Sequence, residues 1–281
     1  MSETSSPPMA KLSRAGRDLP AAIMVAVGLI ALVVASLAFV KAVFLLVVVA
    51  AILLALWEIA RALAHQGTWM PAAPMWIGSA AMVVGAYYGG ADVLITFLAA
   101  TVLVSILWRM PRGQDDFVQD VTATVFCLIY VPFLASFVAL LLAPDDGIAR
   151  VLTFIAVVTA SDIGGYVAGA PFGRHPMAPA ISPKKSWEGF AGSVVGCTAA
   201  GVASMVWLVD GDWWVGVVLG LIVAAAATLG DLAESLIKRD VGIKDMSRVL
   251  PGHGGVMDRL DSLLASVSVV WLVLHFLLPA V

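Results

Sequence analysis

Acidic and basic side chains gather near the C-terminal end of an otherwise apolar sequence. Asp231, Glu234 and Lys238 are spaced i, i+3 and i+7, which places them on one face of a helix. Farther along, Asp258 and Asp261 share a helix face in the same way. Carboxylates of this kind hold Mg²⁺ through oxygen ligands, while neighbouring cations neutralise phosphate groups. The spacing therefore predicts a site that handles a metal ion and phosphates.

The segment between the two acidic groups supplies cations and a tight turn. It contains Arg239, Lys244 and Arg248, and residues 251–255 read Pro-Gly-His-Gly-Gly. Backbone N–H groups in such a turn can bind an anion, as phosphoryl- or nucleotidyl-transfer sites require. A plain solvated loop between two membrane spans is the alternative. It is weakened because acidic groups at helix ends beside a bilayer need a partner or water.

These residues belong to a longer pattern, which reads Ser235-x-x-Lys238-Arg239-x4-Lys244-Asp245 and then Pro251-x-His253-Gly254-Gly255-x-x-Asp258-Arg259-x-Asp261. The pattern resembles the signature of the phosphatidate cytidylyltransferases, also called CDP-diacylglycerol synthases. It fixes many positions over a short stretch, so it is more specific than a brief motif. The resemblance extends through roughly residues 150–281, while the N-terminal spans share only their hydropathy with the family.

Two upstream blocks support the resemblance. Residues 182–189 read Ser-Pro-Lys-Lys-Ser-Trp-Glu-Gly, with Ser186 where the family usually has Thr. The stretch that begins at Asp162 is similar to a second family block, and Arg174 stands where Lys is frequent. Lysines just before a span lie at headgroup depth and can meet a lipid phosphate, although positive-inside topology alone also explains them. Asp162 inside a span indicates a functional group, or else a hydrogen bond between helices.

The resemblance implies that CTP and phosphatidate react to give CDP-diacylglycerol and pyrophosphate. It implies Mg²⁺ as the cofactor, as one or two ions, with K⁺ as a further candidate cation. Metal ligation and catalysis are expected from Asp231, Asp258 and Asp261, with Lys238 and Lys244 as further catalytic residues. The expected substrate-binding residues are Asp162, Arg174, Ser182, Lys184, Lys185, Glu188, Glu234, Arg239, His253, Gly254, Gly255 and Arg259. The expected partners are CTP, phosphatidate, membrane lipids and a second copy of the chain.

The composition predicts an all-α polytopic membrane protein. Of the 281 residues, 61% are hydrophobic and 12% charged, against roughly 25% charged in soluble domains. The net charge of −3 gives no indication of a nucleic-acid partner. A polar tail, 1–18, precedes about nine apolar runs of spanning length. These runs are 19–40, 42–64, 72–90, 92–108, 121–142, 148–169, 189–209, 213–230 and 262–279.

The positive charges predict the orientation. With the N-terminus in the cytoplasm, every Lys and Arg except Lys41 and Arg150 falls on the inner side. The segments 19–142 and 148–281 then form an N-terminal and a catalytic membrane region. The long loops 170–188 and 230–261 face the cytoplasm, where a nucleotide is available. We therefore expect a multi-pass protein of the cell (inner or plasma) membrane with a cytoplasmic active site.

Other functions remain open on the residues alone. A CTP-dependent kinase of a polyprenol would use similar parts but transfer the γ-phosphoryl group. A secondary transporter would use Asp162 as an ion-coupling group, yet the sequence shows no inverted repeat. A scaffold would explain the spans but not the motif.

Several further residues are expected to be structural. Glu58 and Arg61 are spaced to pair with each other, and Asp120 is expected to be solvated. Cys127 and Cys197 should be buried thiols. Small residues on the seventh span would suit close helix packing, and they are Gly192, Ser193, Gly196 and Ala200.

Overall fold

The structure is a computed structural model that describes residues 24, 27–28, 31–37, 40–247, 249 and 254–278. Its elements, in chain order, are α1 (Lys41–Ala64), α2 (Ala72–Arg109), a 3₁₀ turn (Met110–Arg112), α3 (Phe117–Leu128), a π-helical segment (Ile129–Phe133), α4 (Leu134–Leu142), α5 (Gly147–Phe172), β1 (Pro176–Ala178), β2 (Ser182–Ser186), α6 (Trp187–Ser204), a second π-helical segment (Met205–Val209), α7 (Trp213–Val241) and α8 (Met257–Leu277).

Long apolar helices dominate the described part of the chain. Seven helical stretches there are long and apolar enough to cross a membrane. A helix satisfies its own backbone hydrogen bonds, which is what a chain needs inside lipid. The predicted all-α polytopic class is confirmed to that extent. A short antiparallel hairpin of β1 and β2 is the exception, because the sequence predicted only a loop there.

The helix α2 reverses direction at Gly90, whose φ of 74° and ψ of −164° are not helical. A Cβ built on Gly78 would lie 2.2 Å from the Thr101 side chain, and one on Gly85 would lie 2.5 Å from Phe97. Such contacts require two antiparallel legs. Glycine tolerates the positive φ that the reversal needs. The tight connection predicted between the third and fourth spans is therefore present.

The predicted total of nine spans stays a prediction. The reversal in α2 divides one of the seven stretches into two crossings. Half of the predicted first span, 19–40, and the whole tail, 1–18, lie outside the described residues. Of that first span, residues 31–37 are helical.

The loops predicted to be cytoplasmic meet at one end of the bundle. Gln66, after α1, donates a 2.9 Å hydrogen bond to the Asp240 carbonyl at the end of α7. Gln119, in the first turn of α3, donates to Thr68 in the same loop as Gln66 at 3.1 Å. At the opposite end, Lys41 donates to the Pro144 carbonyl. The arrangement agrees with the alternation of spans that the positive charges predicted.

Small residues let α5 and α6 approach closely within the chain. A Cβ on Gly164 would lie 2.3 Å from the Gly192 carbonyl oxygen, and one on Gly196 would lie 2.6 Å from the Ala160 carbonyl oxygen of α5. Ser193 donates a 2.7 Å hydrogen bond to the Ser161 carbonyl. The predicted close packing of these small residues is thus satisfied by α5. A homodimer stays a separate prediction.

Two expectations about buried polar groups had different outcomes. Cys127 and Cys197 are buried free thiols, as predicted. Asp120 was expected to be solvated, but it is buried and accepts a 2.6 Å hydrogen bond from Arg109 Nε. Its other carboxylate oxygen accepts from the Trp69 backbone N–H at 2.7 Å. The expectation was wrong because the loop folds back onto this aspartate.

Candidate active site

The inner ends of α7 and α8 bring the predicted acidic groups together. A Cβ built on Gly230 would lie 2.5 Å from the Asp261 carbonyl oxygen, so the missing side chain lets the helices touch. The carboxyl group of the next residue, Asp231, lies close to that of Asp261. Lys185, from β2, forms an ion pair with Asp231. Two facing carboxyl groups and one lysine therefore form the centre of the site.

This pair of carboxyl groups fits a divalent cation. Within the described residues, no three His, Cys, Asp or Glu side chains form a ready-made metal site. Mg²⁺ does not need one, because it is commonly held by one or two carboxylates together with substrate phosphates and water. Asp231 and Asp261 place two carboxylates close to each other. Like charges this close require a proton or a cation between them.

Lys238 links the two helices through a second set of ion pairs. Its Nζ donates to Glu234 at 2.7 Å and to Asp258 at 3.0 Å. Glu234 is almost fully buried, and only one of its oxygens has a partner among the described residues. Glu234 and Lys238, which were predicted to share one face of α7 with Asp231, are in contact with each other. Lys238 lies where it balances two acidic groups, at the boundary between helix and loop.

Asp258 orders the loop before α8. Its Oδ1 is the oxygen that accepts from Lys238. Its Oδ2 accepts from the backbone N–H groups of Met246 at 3.0 Å and Gly255 at 2.7 Å. Both oxygens are therefore engaged by the protein itself. Direct metal ligation by Asp258 stays a prediction, and its contacts favour a role in holding the loop.

The two glycines that precede α8 allow carboxylates to approach the backbone. Gly254 has a φ of +84°, and a Cβ there would lie 2.8 Å from Asp258 Oδ2. A Cβ on Gly255 would lie 2.6 Å from an oxygen of Glu58. Their predicted contact with the nucleotide stays a prediction. His253, which was predicted beside them, lies outside the described residues.

A β-hairpin covers the site from the side of α5 and α6. Glu188, in the first turn of α6, accepts from the backbone N–H groups of Arg174 at 3.2 Å and His175 at 3.3 Å, and it pairs with His175 Nδ1 at 2.5 Å. Ser186 caps α6 by accepting from the Gly189 N–H at 3.2 Å. These bonds fix the base of the hairpin, so the carboxylate of Glu188 holds protein backbone.

A cavity of about 220 Å³ that charged side chains help to line lies under the hairpin. Lys184 and Lys185 line it on one side and Asp231 on another, with Asp162 in the wall formed by α5. An apolar groove of about 400 Å³ lies on the other side of Asp162. Its lining also includes Arg259 and hydrophobic residues of α1, α4, α5 and α8. Asp162 thus borders both a charged cavity and an apolar groove.

Several predicted residues lie away from this cavity. Arg174, Arg239 and Lys244 are exposed and are absent from its lining as far as the described residues show. Ser182 lies at the start of β2 and is half-buried. Their predicted substrate contacts stay predictions.

Sequence reasoning missed Glu58. It was expected to pair with Arg61, but its carboxylate accepts hydrogen bonds from Val256 and Met257 instead. Arg61 lies over the Trp57 ring. The available signal was an acidic residue inside an apolar span, which normally has a specific partner.

The sequence is similar to proteins of one family. The model of the cytidylyltransferase family matches residues 20–277. A phosphatidate cytidylyltransferase of Mycobacterium bovis is 42% identical, over 96% of this chain and 92% of the relative. One of Mycobacterium leprae is 43% identical, over 94% of this chain and 90% of the relative. One of Brucella suis is 37% identical, over 65% and 66%.

Proposed function

The chain belongs to the cytidylyltransferase family and is a nucleotidyltransferase, and on that premise we propose that it makes CDP-diacylglycerol from CTP and phosphatidate. The observation that carries the proposal is the meeting of Lys185 with the Asp231–Asp261 pair at one end of the bundle. Cationic and metal-binding groups in one place are what two reacting phosphates require.

The reaction must bring two polyanions together. A phosphate oxygen of phosphatidate attacks the α-phosphorus of CTP, the bond from that phosphorus to the bridging oxygen breaks, and pyrophosphate leaves. The attacking oxygen is already ionised at neutral pH, so a general base is not required. Repulsion between the two substrates has to be neutralised before attack. Lysine and arginine side chains, together with a metal ion bound by carboxylates at the same site, would neutralise this repulsion.

We assign Mg²⁺ to the Asp231–Asp261 pair. When bound there, Mg²⁺ would neutralise charge on the phosphates and orient them. A second metal ion and K⁺ stay predictions, and Glu234 is a candidate to support them because one of its oxygens has no partner among the described residues. Lys185 pairs with Asp231 here, so it is positioned to exchange that carboxylate for a substrate phosphate.

Each substrate is assigned to a different part of the site. The hairpin lysines Lys184 and Lys185 receive the lipid phosphate, because the cavity they line adjoins an apolar groove beside Asp162. The acyl chains would remain in the bilayer at that groove. The cations Lys238, Arg239, Lys244 and Arg259 receive the triphosphate and the leaving pyrophosphate.

We place the site on the cytoplasmic face of the cell membrane. Within the part of the chain that the structure describes, the loops that carry most of the Lys and Arg residues lie at the same end of the bundle as the acidic pair. Loops rich in Lys and Arg remain on the cytoplasmic side of the membrane, so the site would face the cytoplasm, where CTP is available.

The position of the transferred label tests the proposed function. Purified protein in lipid nanodiscs receives phosphatidate, Mg²⁺ and CTP labelled at either the α- or the γ-phosphate. We expect the α-label in a liponucleotide and the γ-label in pyrophosphate. A γ-label in the lipid product, with release of CDP, would instead establish a lipid kinase and refute the proposal.

Loosening the hairpin should weaken binding of the lipid. Glu188→Ala removes the carboxylate oxygen Oε2, which accepts from the backbone N–H groups of both Arg174 and His175. Because these bonds fix the base of the hairpin that carries Lys184 and Lys185, we expect the KM for phosphatidate to rise severalfold. The KM for CTP should change little. Steady-state kinetics with each substrate varied in turn gives both constants, and a selective rise for CTP would contradict the assignment.

A further inference from the structure

Glu58 is a buried acid on α1 whose carboxylate is hydrogen-bonded to a loop that is distant in the sequence. It lies on α1 among apolar residues, and only 1% of it is exposed. An acid inside an apolar helix is costly unless it has specific partners. Those partners lie almost two hundred positions away in the sequence, in the loop that precedes α8.

Three hydrogen bonds join Glu58 to that loop. Oε1 accepts from Ser247 Oγ at 2.5 Å and from the Val256 backbone N–H at 2.9 Å. Oε2 accepts from the Met257 backbone N–H at 2.7 Å. Two of the donors are N–H groups at the start of α8, which lack partners within the helix. A carboxylate is favourable there because the N-terminus carries partial positive charge.

The shape of the loop provides an independent observation. A Cβ on Gly255 would lie 2.6 Å from Glu58 Oε2 and 2.9 Å from Oε1. The backbone can therefore reach the carboxylate only where a side chain is missing. Gly255 also donates its N–H to Asp258 Oδ2. One residue is thus held between two carboxylates, one from each half of the chain.

We propose that Glu58 is a positioning residue for nucleotidyl transfer, fixing the start of α8 so that the acidic groups of that helix meet those of α7. Met257, which Glu58 holds, immediately precedes Asp258. Asp261 lies one turn farther along the same helix. A shift or rotation at the helix start would therefore move Asp261 away from Asp231. The inference rests on the proposed function, because its consequence is expressed in that reaction.

Glu58→Gln is the informative substitution. Glutamine keeps the size of the side chain, but its NH₂ group donates and cannot accept from either a backbone N–H or Ser247. The single amide oxygen of glutamine would have to accept from the three donors that the two carboxylate oxygens of Glu58 accept from. The side chain stays in place while the start of α8 loses part of its anchor.

We expect Glu58→Gln to lower kcat about a hundredfold, the loss that a misplacement of about 1 Å can cause. The KM for phosphatidate should stay unchanged, because the hairpin that holds the lipid is anchored elsewhere. Glu58→Asp, which keeps a carboxylate, should recover part of the lost kcat. These values come from steady-state liponucleotide formation in nanodiscs, with melting temperature measured on the same preparations.

Asp120→Asn is the matched control. Asp120 is another buried acid at the same end of the bundle, and its two oxygens accept from Arg109 and Trp69. We expect this variant to lose melting temperature but to keep a normal kcat once folded. If Glu58→Gln behaves in the same way, with kcat intact, Glu58 is merely structural and the proposal is refuted.

A double substitution tests the contact itself. Gly255→Ala and Glu58→Gln disturb the same junction, so their effects on kcat should not add. The kcat of the double variant should be only slightly lower than the kcat of the less active single variant. Fully additive losses would overturn the inference. Absence of liponucleotide product with the unmodified protein would instead refute the proposed function, so the two failures are distinguishable.

Discussion

Asp231→Asn is expected to lower kcat about a thousandfold while leaving the protein folded. The metal at this position is expected to contribute several kcal/mol, and each 1.36 kcal/mol corresponds to a factor of about ten in rate. Asparagine keeps the size of the side chain and one oxygen, but it removes the charge that faces Asp261 and Lys185. The loss should persist at saturating Mg²⁺, because a neutral amide is a poor ligand for this ion.

Asp240→Asn is the control for this substitution. Asp240 lies on the same helix, α7, at the same end, with an exposed side chain. Its replacement should leave kcat and melting temperature unchanged. Rates are measured by liponucleotide formation, and folding by size-exclusion profile and thermal unfolding in detergent. An Asp231→Asn variant with nearly normal turnover would rule out this aspartate as a ligand.

Lys238→Met should reduce both stability and activity. Lys238 balances Glu234 and Asp258, whose side chains are 1% and 6% exposed. Removing one member of a buried ion pair leaves an uncompensated charge, which costs about 3–5 kcal/mol. We therefore expect a clear fall in melting temperature and loss of most activity, because Asp258 also holds Gly255 and Met246.

Arg150→Met gives the matched comparison for Lys238→Met. Arg150 pairs with Asp146 at the same i, i+4 spacing, but at the opposite end of the bundle, and the Asp146 side chain is 31% exposed against 1% for Glu234. A pair of this kind contributes about 0–1 kcal/mol, so melting temperature and activity should change little. Equal losses in the two variants would show that the ion pair of Lys238 has no special role.

The helices were predictable from sequence because each is a local pattern. An apolar run of spanning length indicates a crossing, and the Gly-rich junction near Gly90 indicated the tight reversal in α2. The face formed by Asp231, Glu234 and Lys238 followed from helical spacing alone. Positive charges then predicted which loops share an end, since that bias depends on counting and not on contacts.

The parts that sequence could not supply depend on contacts between distant segments. Nothing near Glu58 indicates Val256 as its partner, and the i, i+3 spacing suggested Arg61 instead. Metal ligation by Asp258 stays a prediction, and nothing near it in the sequence indicated that its oxygens accept from Lys238 and the loop backbone.

The β-hairpin was missed for a local reason. Its strands are short and contain Pro176 and Pro183, and the sequence shows no alternation of apolar and polar residues there. What defines it is the anchoring of its base by Glu188.

Binding of Mn²⁺ to the purified protein tests the central claim most directly. Mn²⁺ substitutes for Mg²⁺, and its electron paramagnetic resonance signal falls on binding. The titration is run with α,β-methylene CTP, which resists transfer, and with a nucleotide-only blank. We predict one or two Mn²⁺ ions per chain that Mg²⁺ displaces, with binding much weaker in Asp231→Asn and Asp261→Asn but normal in Asp240→Asn. Equal Mn²⁺ affinity in all four proteins would contradict the account.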